Sequence, residues 1–231
     1  MAAARQATRR SSAPAAAPSA LPPSAAPFDS RAYWDRRYRT KGNSGAGSYG
    51  RLAAFKAEII NQLIAELSPG SLIDYGVGDG NQLELLNLEG VEYTGIDVSP
   101  TVIAACKTRF KHAPFRFLLD TEAIRSHSPS PTADLVMSCD VIYHLVEDPV
   151  YERYMSNLFG MARNHVLIYA YDTDHRHAAH VRYRKFTEYI AERFPEWTLV
   201  RHVPQRYPQR SLGTSNHDTS ASDFYLYTRK G

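Results

Sequence analysis

The chain predicts an α/β fold: an open, doubly wound, mostly parallel seven-stranded sheet with helices on both faces and an antiparallel C-terminal strand. Three observations predict it. From Ser71 onward, short apolar segments alternate with stretches of helical spacing. The first apolar segment runs straight into "DYGVGDG", three glycines in five residues. The last two apolar segments are separated by a polar loop and no helix, so they close the sheet as an antiparallel pair.

Taken in order, "FDSRAYWDRRY" is a short helix carrying Tyr33, Trp34 and Tyr38. The Gly/Ser loop "TKGNSGAGSYG" follows. "RLAAFKAEIINQLIAEL" repeats Leu52, Phe55, Ile59, Leu63 and Leu67 at helical spacing and stops at "SPG". "SLIDY" is the first strand, and the glycine turn leads into a helix over "NQLELLNLEG". "EYTGIDV" is a strand; the next helix opens with Ser99 as N-cap and Pro100 at its first position. "FRFLLD" and "ADLVMSCDVIYHL" are strands, the second running into a turn. "PVYERYMSNLFGMA" is a helix, "NHVLIYAYD" a strand and "RYRKFTEYIAERF" a helix. "EWTLVRHV" and "SDFYLYTRK" are the closing strands.

The 231 residues, 43% of them hydrophobic, suit one domain over 28–231, with 28–70 as a helical cap and Gly/Ser loop. The Ala/Pro/Ser-rich segment 1–27 is expected to be a disordered tail, and its Arg-bearing, acid-free composition also suits an organelle import segment. Cys106 and Cys139 form neither a disulfide scaffold nor a zinc ribbon, which points to a reducing compartment, and no apolar stretch is long enough to span a membrane. A cytoplasmic monomer or homodimer, away from membranes, is expected. The 27 basic residues include Arg5, Arg9 and Arg10 ahead of Asp29, leaving 24 basic against 24 acidic residues beyond. No nucleic-acid partner is expected from that balance.

In such a sheet, ligands bind beyond the carboxyl ends of the strands, where Gly76, Gly78 and Gly80 lie. Gly80-Asn81-Gln82 lacks the lysine of a nucleotide-triphosphate loop, and G-x-G-x-G departs from the dinucleotide G-x-G-x-x-G. Asp74 and Asp79 disfavour a pyrophosphate but suit a ligand carrying a sulfonium and an ammonium. Asp97 ends the second strand, 21 residues after Gly76, where an acid can accept hydrogen bonds from ribose hydroxyls.

"LIDYGVGDG" resembles the hydrophobic–acidic–glycine signature of class I S-adenosylmethionine-dependent methyltransferases, a Rossmann-like family. "ADLVMSCDVIYHLVED" resembles that family's fourth motif through Asp134, Leu135, Val136, Asp140, Val141 and His144. "YWDRRY", "HVRYRKFTEYI", "FPEWTL" and "SASDFYLY" resemble a bacterial-type methyltransferase group of unassigned substrate. The resemblance implies S-adenosylmethionine as cofactor. Asp74 would orient its methionine end, Asp97 with Val98 the ribose, and Asp120 with Thr121 the adenine; Asp140 completes the set. It also implies methyl transfer but leaves the acceptor open; a small, charge-balanced domain with no added recognition module is expected to act on a small molecule or glycan.

His144, just past the fourth strand, is the first candidate base, because histidine titrates near neutrality. "YDTDHRHAAHVRYR" holds a second candidate, His180. Its substrate-binding candidates are His177 and Arg182, with Tyr143 beside His144. That loop reads either as a substrate loop, as a solvated polar loop or as an Asp/His divalent-metal site, but its spacing matches no defined metal motif and no metal is assigned. The Gly/Ser loop reads as a lid or a plain connection, and Arg37 as a partner for the cofactor carboxylate. Two other functions stay open: a nicotinamide-dependent oxidoreductase on the same topology, and a non-catalytic cofactor-binding regulatory domain.

Overall fold

The computed structural model describes residues 28–40, 42–125, 131–209 and 218–231. The tail over 1–27 lies outside them. Helix α1 (Ser30–Arg39) starts at Asp29, whose carboxylate accepts the Ala32 N–H at 2.9 Å. Helix α2 (Gly50–Leu67) buries Leu52, Phe55, Ile59, Ile60 and Leu63 on one side and ends at Ser68, in the left-handed region at φ 46°.

Strands β1 (Ser71–Tyr75), β2 (Glu92–Asp97), β3 (Arg116–Leu119), β4 (Ala133–Cys139) and β5 (Ala162–Ala170) pair in parallel. They are joined through α3 (Pro100–Arg109), α4 (Asp120–Arg125) and α5 (Asp148–Met161). A hairpin of β6 (His175–Ala178) and β7 (Val181–Tyr183) follows, then α6 (Phe186–Arg193), β8 (Trp197–Val203) and β9 (Asp223–Arg229). The main sheet has the order β3-β2-β1-β4-β5-β9-β8, and β9 runs antiparallel to both neighbours. The order reverses between β1 and β4, so the crevice above their carboxyl ends is the place for a ligand.

The two-residue period of the strands splits the core into two layers. Ile73, Val136, Val166 and Ile168 pack with α5 and α6, among them Met155, Leu158, Phe186 and Ile190. Leu72, Leu135, Met137 and Leu167 pack with α2 and α3, among them Ile60, Leu63, Ile103 and Cys106. Ser99 caps α3 as expected, its hydroxyl accepting the Val102 N–H at 3.3 Å behind Pro100.

Three expected elements differ. The helix after the glycine turn reduces to a 3-10 turn over Leu83–Leu85, because α2 captures the backbone there. Asn61 donates to the Leu85 carbonyl at 2.9 Å and accepts the Asn87 N–H at 2.8 Å. The polar loop after β5 is the β6–β7 hairpin. The helix expected from Arg182 begins only at Phe186, where Asp172 accepts both the Thr187 N–H and its hydroxyl, at 3.1 and 2.6 Å. Among the described residues, no helix is long and apolar enough to cross a membrane.

Candidate functional site: a glycine turn roofed by the N-terminal helix

Gly76, Gly78 and Gly80 have φ of 104°, 58° and 77°, a region that side chains disfavour. Each also lies against a neighbour. A Cβ at Gly76 would overlap Val141, one at Gly78 would overlap Ser44, and one at Gly80 would come within 2.6 Å of Phe110. The turn is pinned to β2 by the Ile96 carbonyl, which accepts the Gly76 and Val77 N–H groups at 2.7 and 3.1 Å. Asp97 backs it from below, accepting the Gly78 N–H at 3.1 Å and the Ser99 N–H at 2.9 Å. Burial raises the Asp97 carboxyl to about 6 against these backbone bonds. Asp74 is buried too and, among the described residues, accepts only the Tyr93 hydroxyl, at 3.1 Å; burial pushes it up to about 7.

Two cavities meet above this turn, sharing Trp34, Tyr75, Val98, Leu145 and Tyr154 as walls. The first holds the glycine turn, Asp74, Gln82, Asp97, Asp140 and His144. The second holds Asp120, Thr121 and Glu147. Helix α1 lies across both. Its first residue, Ser30, donates its N–H to Glu147 at 2.9 Å, and Asp35 accepts the hydroxyls of Ser99 and Thr101 at 2.7 and 2.9 Å. The Gly/Ser loop closes the remaining side. Ser44 and Asp79 exchange reciprocal hydrogen bonds of 2.9 Å, Tyr49 donates to Asp79 at 2.7 Å, and Asn81 donates to the Ser48 carbonyl at 2.6 Å. Burial works to raise the Asp79 carboxyl, but the donors from Tyr49, Ser44 and Asn81 win and hold it low.

The turn after β4 builds the other wall. Asp140 sits at φ 60°, accepting the Lys56 ammonium at 2.6 Å and the Tyr143 hydroxyl at 2.8 Å. His144 Nδ1 lies 3.0 Å from the His180 carbonyl, with the Trp34 ring edge-on at 4.7 Å and the His180 ring parallel at 5.9 Å. Burial lowers the His144 imidazole to about 4.

A methyltransferase-domain family matches residues 73–166, from β1 into β5. That span holds the glycine turn, Asp97 and Asp120, residues through which the sequence resembles the class I S-adenosylmethionine-dependent methyltransferases. The chain is 32% identical over 108 residues to the EEF1A lysine methyltransferase 4 of Mus musculus, a match spanning 46% of this chain and 41% of that protein. Its fold is that of the N-methyltransferase NodS from Bradyrhizobium japonicum WM9 in complex with S-adenosylhomocysteine (TM-score 0.63, 17% identity, 88% of this chain and 100% of that one). It is also that of the small RNA methyltransferase HEN1 (TM-score 0.55, 16% identity, 78% and 25%). The nicotinamide-dependent alternative is thereby set aside. A shared fold with an RNA enzyme means that the charge balance is no ground for excluding RNA as an acceptor.

The residues of this site suit S-adenosylmethionine. The first cavity offers acceptors in need of donors. Among the described residues, Gln82 Oε1 is buried without a partner, because its Nε2 is turned to the Ala53 carbonyl at 3.2 Å, and Asp74 has a single hydrogen bond. Asp97 keeps lone pairs beyond the two backbone bonds. The second cavity has Asp120, which already accepts the Tyr75 hydroxyl at 2.5 Å and lies 3.6 Å from Arg31.

The predicted site residues divide. Asp74, the glycines, Asp97, Val98, Asp120, Thr121, Asp140 and His144 all line the two joined cavities, apart from Gly80, which packs behind the turn on Phe110. Tyr143 stands behind Asp140, and His180 reaches the cavity through its carbonyl on His144. Arg182 is turned to Asp148 at 2.8 Å and the Val146 carbonyl at 3.3 Å, and His177 is exposed on the hairpin, 6.2 Å from the Tyr183 ring. Arg37 donates to the Asn43 carbonyl at 2.7 Å. Asp172 and Asp174 are engaged at the start of α6, with Thr187 and with the Lys185 N–H. The sequence reading missed Lys56, Gln82 and the Ser44–Asp79 latch. Lys56 did leave a signal: a lysine on the apolar side of α2, between Leu52, Phe55, Ile59 and Ile60.

Proposed function

We propose that this methyltransferase transfers a methyl group to a hydroxyl or amine of a small-molecule or glycan acceptor, held by His144. The observation that carries this reading is the tie between His144 Nδ1 and the His180 carbonyl at 3.0 Å, on the wall of the first cavity. A carbonyl only accepts, so Nδ1 bears the proton and Nε2 keeps its lone pair. With its pKa lowered to about 4, the ring is neutral through the physiological range. Bound S-adenosylmethionine supplies an electrophilic methyl group.

An imidazole this weakly basic does not ionise a resting alcohol. It accepts a hydrogen bond from the acceptor O–H or N–H and aligns the nucleophile, which is most of what this reaction asks of a protein. The acceptor's proton passes to Nε2 only as positive charge develops on the acceptor atom. Helix α1 and the latched Gly/Ser loop cover the cavities, which suits a slender or small acceptor. A second reading, transfer to a protein lysine, draws on the similarity to the mouse lysine methyltransferase.

Incubation with methyl-labelled S-adenosylmethionine and separate small-molecule, glycan, protein and RNA pools decides between them. Label in the small-molecule or glycan pool is expected. Label confined to protein or RNA refutes the acceptor assignment. On the acceptor found, His144→Ala is expected to slow turnover roughly a hundredfold while S-adenosylhomocysteine affinity is kept.

A further inference from the structure

Lys56 sits in the middle of α2, 1% exposed, the one lysine or arginine among the residues lining the first cavity. Its Nζ donates to Asp140 at 2.6 Å and lies 5.3 Å from the centre of the Tyr169 ring. An ammonium carries three donors. Asp140 takes one, and among the described residues there is no further hydrogen-bond partner. A cation this deep is tolerated when its remaining protons also find acceptors. The same cavity wall holds Asp74 and the unpartnered Gln82 Oε1. This end of the cavity therefore sets an unsaturated donor beside two under-used acceptors, the complement of a zwitterion.

We infer that Lys56 binds a ligand carboxylate, that of the cofactor's amino-acid end, while Gln82 and Asp74 take its ammonium. The inference rests on the S-adenosylmethionine reading of the site. Arg37, the cation the sequence offers for this task, is spent on the Asn43 carbonyl and does not line the cavity. Asp140 is the positioning residue. Its N–H is tied to the Tyr169 carbonyl at 3.0 Å and its second oxygen to the Tyr143 hydroxyl at 2.8 Å, so the carboxylate under Lys56 is fixed. One side chain thus joins the carboxylate-binding lysine to the turn that carries His144.

The test is calorimetric titration of the full chain with S-adenosylhomocysteine and with its decarboxylated analogue. A hydrogen bond between charged groups predicts that the parent nucleoside binds roughly ten- to a hundredfold more tightly. Lys56→Met is expected to bind both ligands alike, at the level of the analogue on the unaltered protein. Because Lys56→Met strands Asp140, Lys56→Met/Asp140→Asn is measured beside it, with melting curves to establish folding. Equal binding of the two nucleosides by the unaltered protein overturns the inference, as does a full preference kept by a folded Lys56 variant. Absence of any S-adenosylhomocysteine binding to the unaltered protein overturns the cofactor reading itself, and the inference falls with it.

Discussion

The two walls of the cofactor cavity are built differently. The glycine-turn wall is local and backbone-made: Gly76, Gly78, Asp97 and Ser99 lie within one β-α-β stretch and are held by main-chain hydrogen bonds. The opposite wall is assembled from afar. His144 is oriented by a residue 36 positions away, Asp140 by Lys56 at a separation of 84, and the roof helix by Glu147 at 117. The first wall can hardly be altered without breaking the turn. The second is a set of side-chain contacts, each replaceable at a graded cost.

The largest effect is expected on the first wall. Gly76→Ala puts a side chain at φ 104° and into Val141. Strain and overlap together should cost about 2–4 kcal/mol and abolish S-adenosylhomocysteine binding. Urea unfolding and calorimetry check both; normal binding by the variant would show that the wall is not rigid.

A smaller effect sharpens the electrostatic side. Burial raises the Asp74 carboxyl to about 7, well above the usual carboxylate range. A carboxyl raised on folding costs stability once the unfolded chain ionises, so the penalty is absent below pH 4 and complete above pH 7. Asp74→Asn keeps an acceptor for Tyr93. The ligand-free variant should melt with the parent at pH 4 and above it at pH 8, while binding S-adenosylhomocysteine more weakly. A constant difference across this range would refute the cause given for the shift.

The smallest pair of effects lies on the second wall. Arg184 is nearly buried, donating to the Leu145 and Val146 carbonyls at 2.7 and 3.2 Å and to Asp148 at 3.0 Å, with Tyr151 under its guanidinium. Arg184→Ala should cost about 2 kcal/mol. Arg182 shares Asp148 from a more exposed position, and Arg182→Ala should cost less than about 1 kcal/mol. Neither should change S-adenosylhomocysteine affinity. Equal losses, or a loss of affinity, would mean that the walls are not separable.

The contrast also explains what could be read in advance. The succession of strands and helices, the turn and the acids at the ends of β1 and β2 follow from periodicity and from glycine spacing, because those signals act within a few residues. The helix after the turn was misread because its backbone partners lie on α2, at Asn61. The partners of the loop after β5 could not be read because its acids cap α6 while its arginines reach back to the loop before α5. Arg37 is on the Asn43 carbonyl and Lys56 lines the first cavity for the same reason. A basic residue's partner is set by packing: its place among the apolar residues of α2 marks Lys56 as inward, but not that Asp140 meets it there, nor that Arg37 holds a loop.

By itself, then, the sequence determined the doubly wound sheet, the left-handed glycine turn and an acid at the end of β2 beneath it. These need only local sterics and the two-residue period of a strand. Only the tertiary structure decided that α1 roofs the cavity, that Asp140 holds a buried lysine, and that His144 Nδ1 meets the His180 carbonyl. Each depends on side chains brought together across dozens of residues by burial of the two apolar layers. Burial rewards any apolar neighbour alike, so it leaves no mark in the sequence of which polar groups will meet.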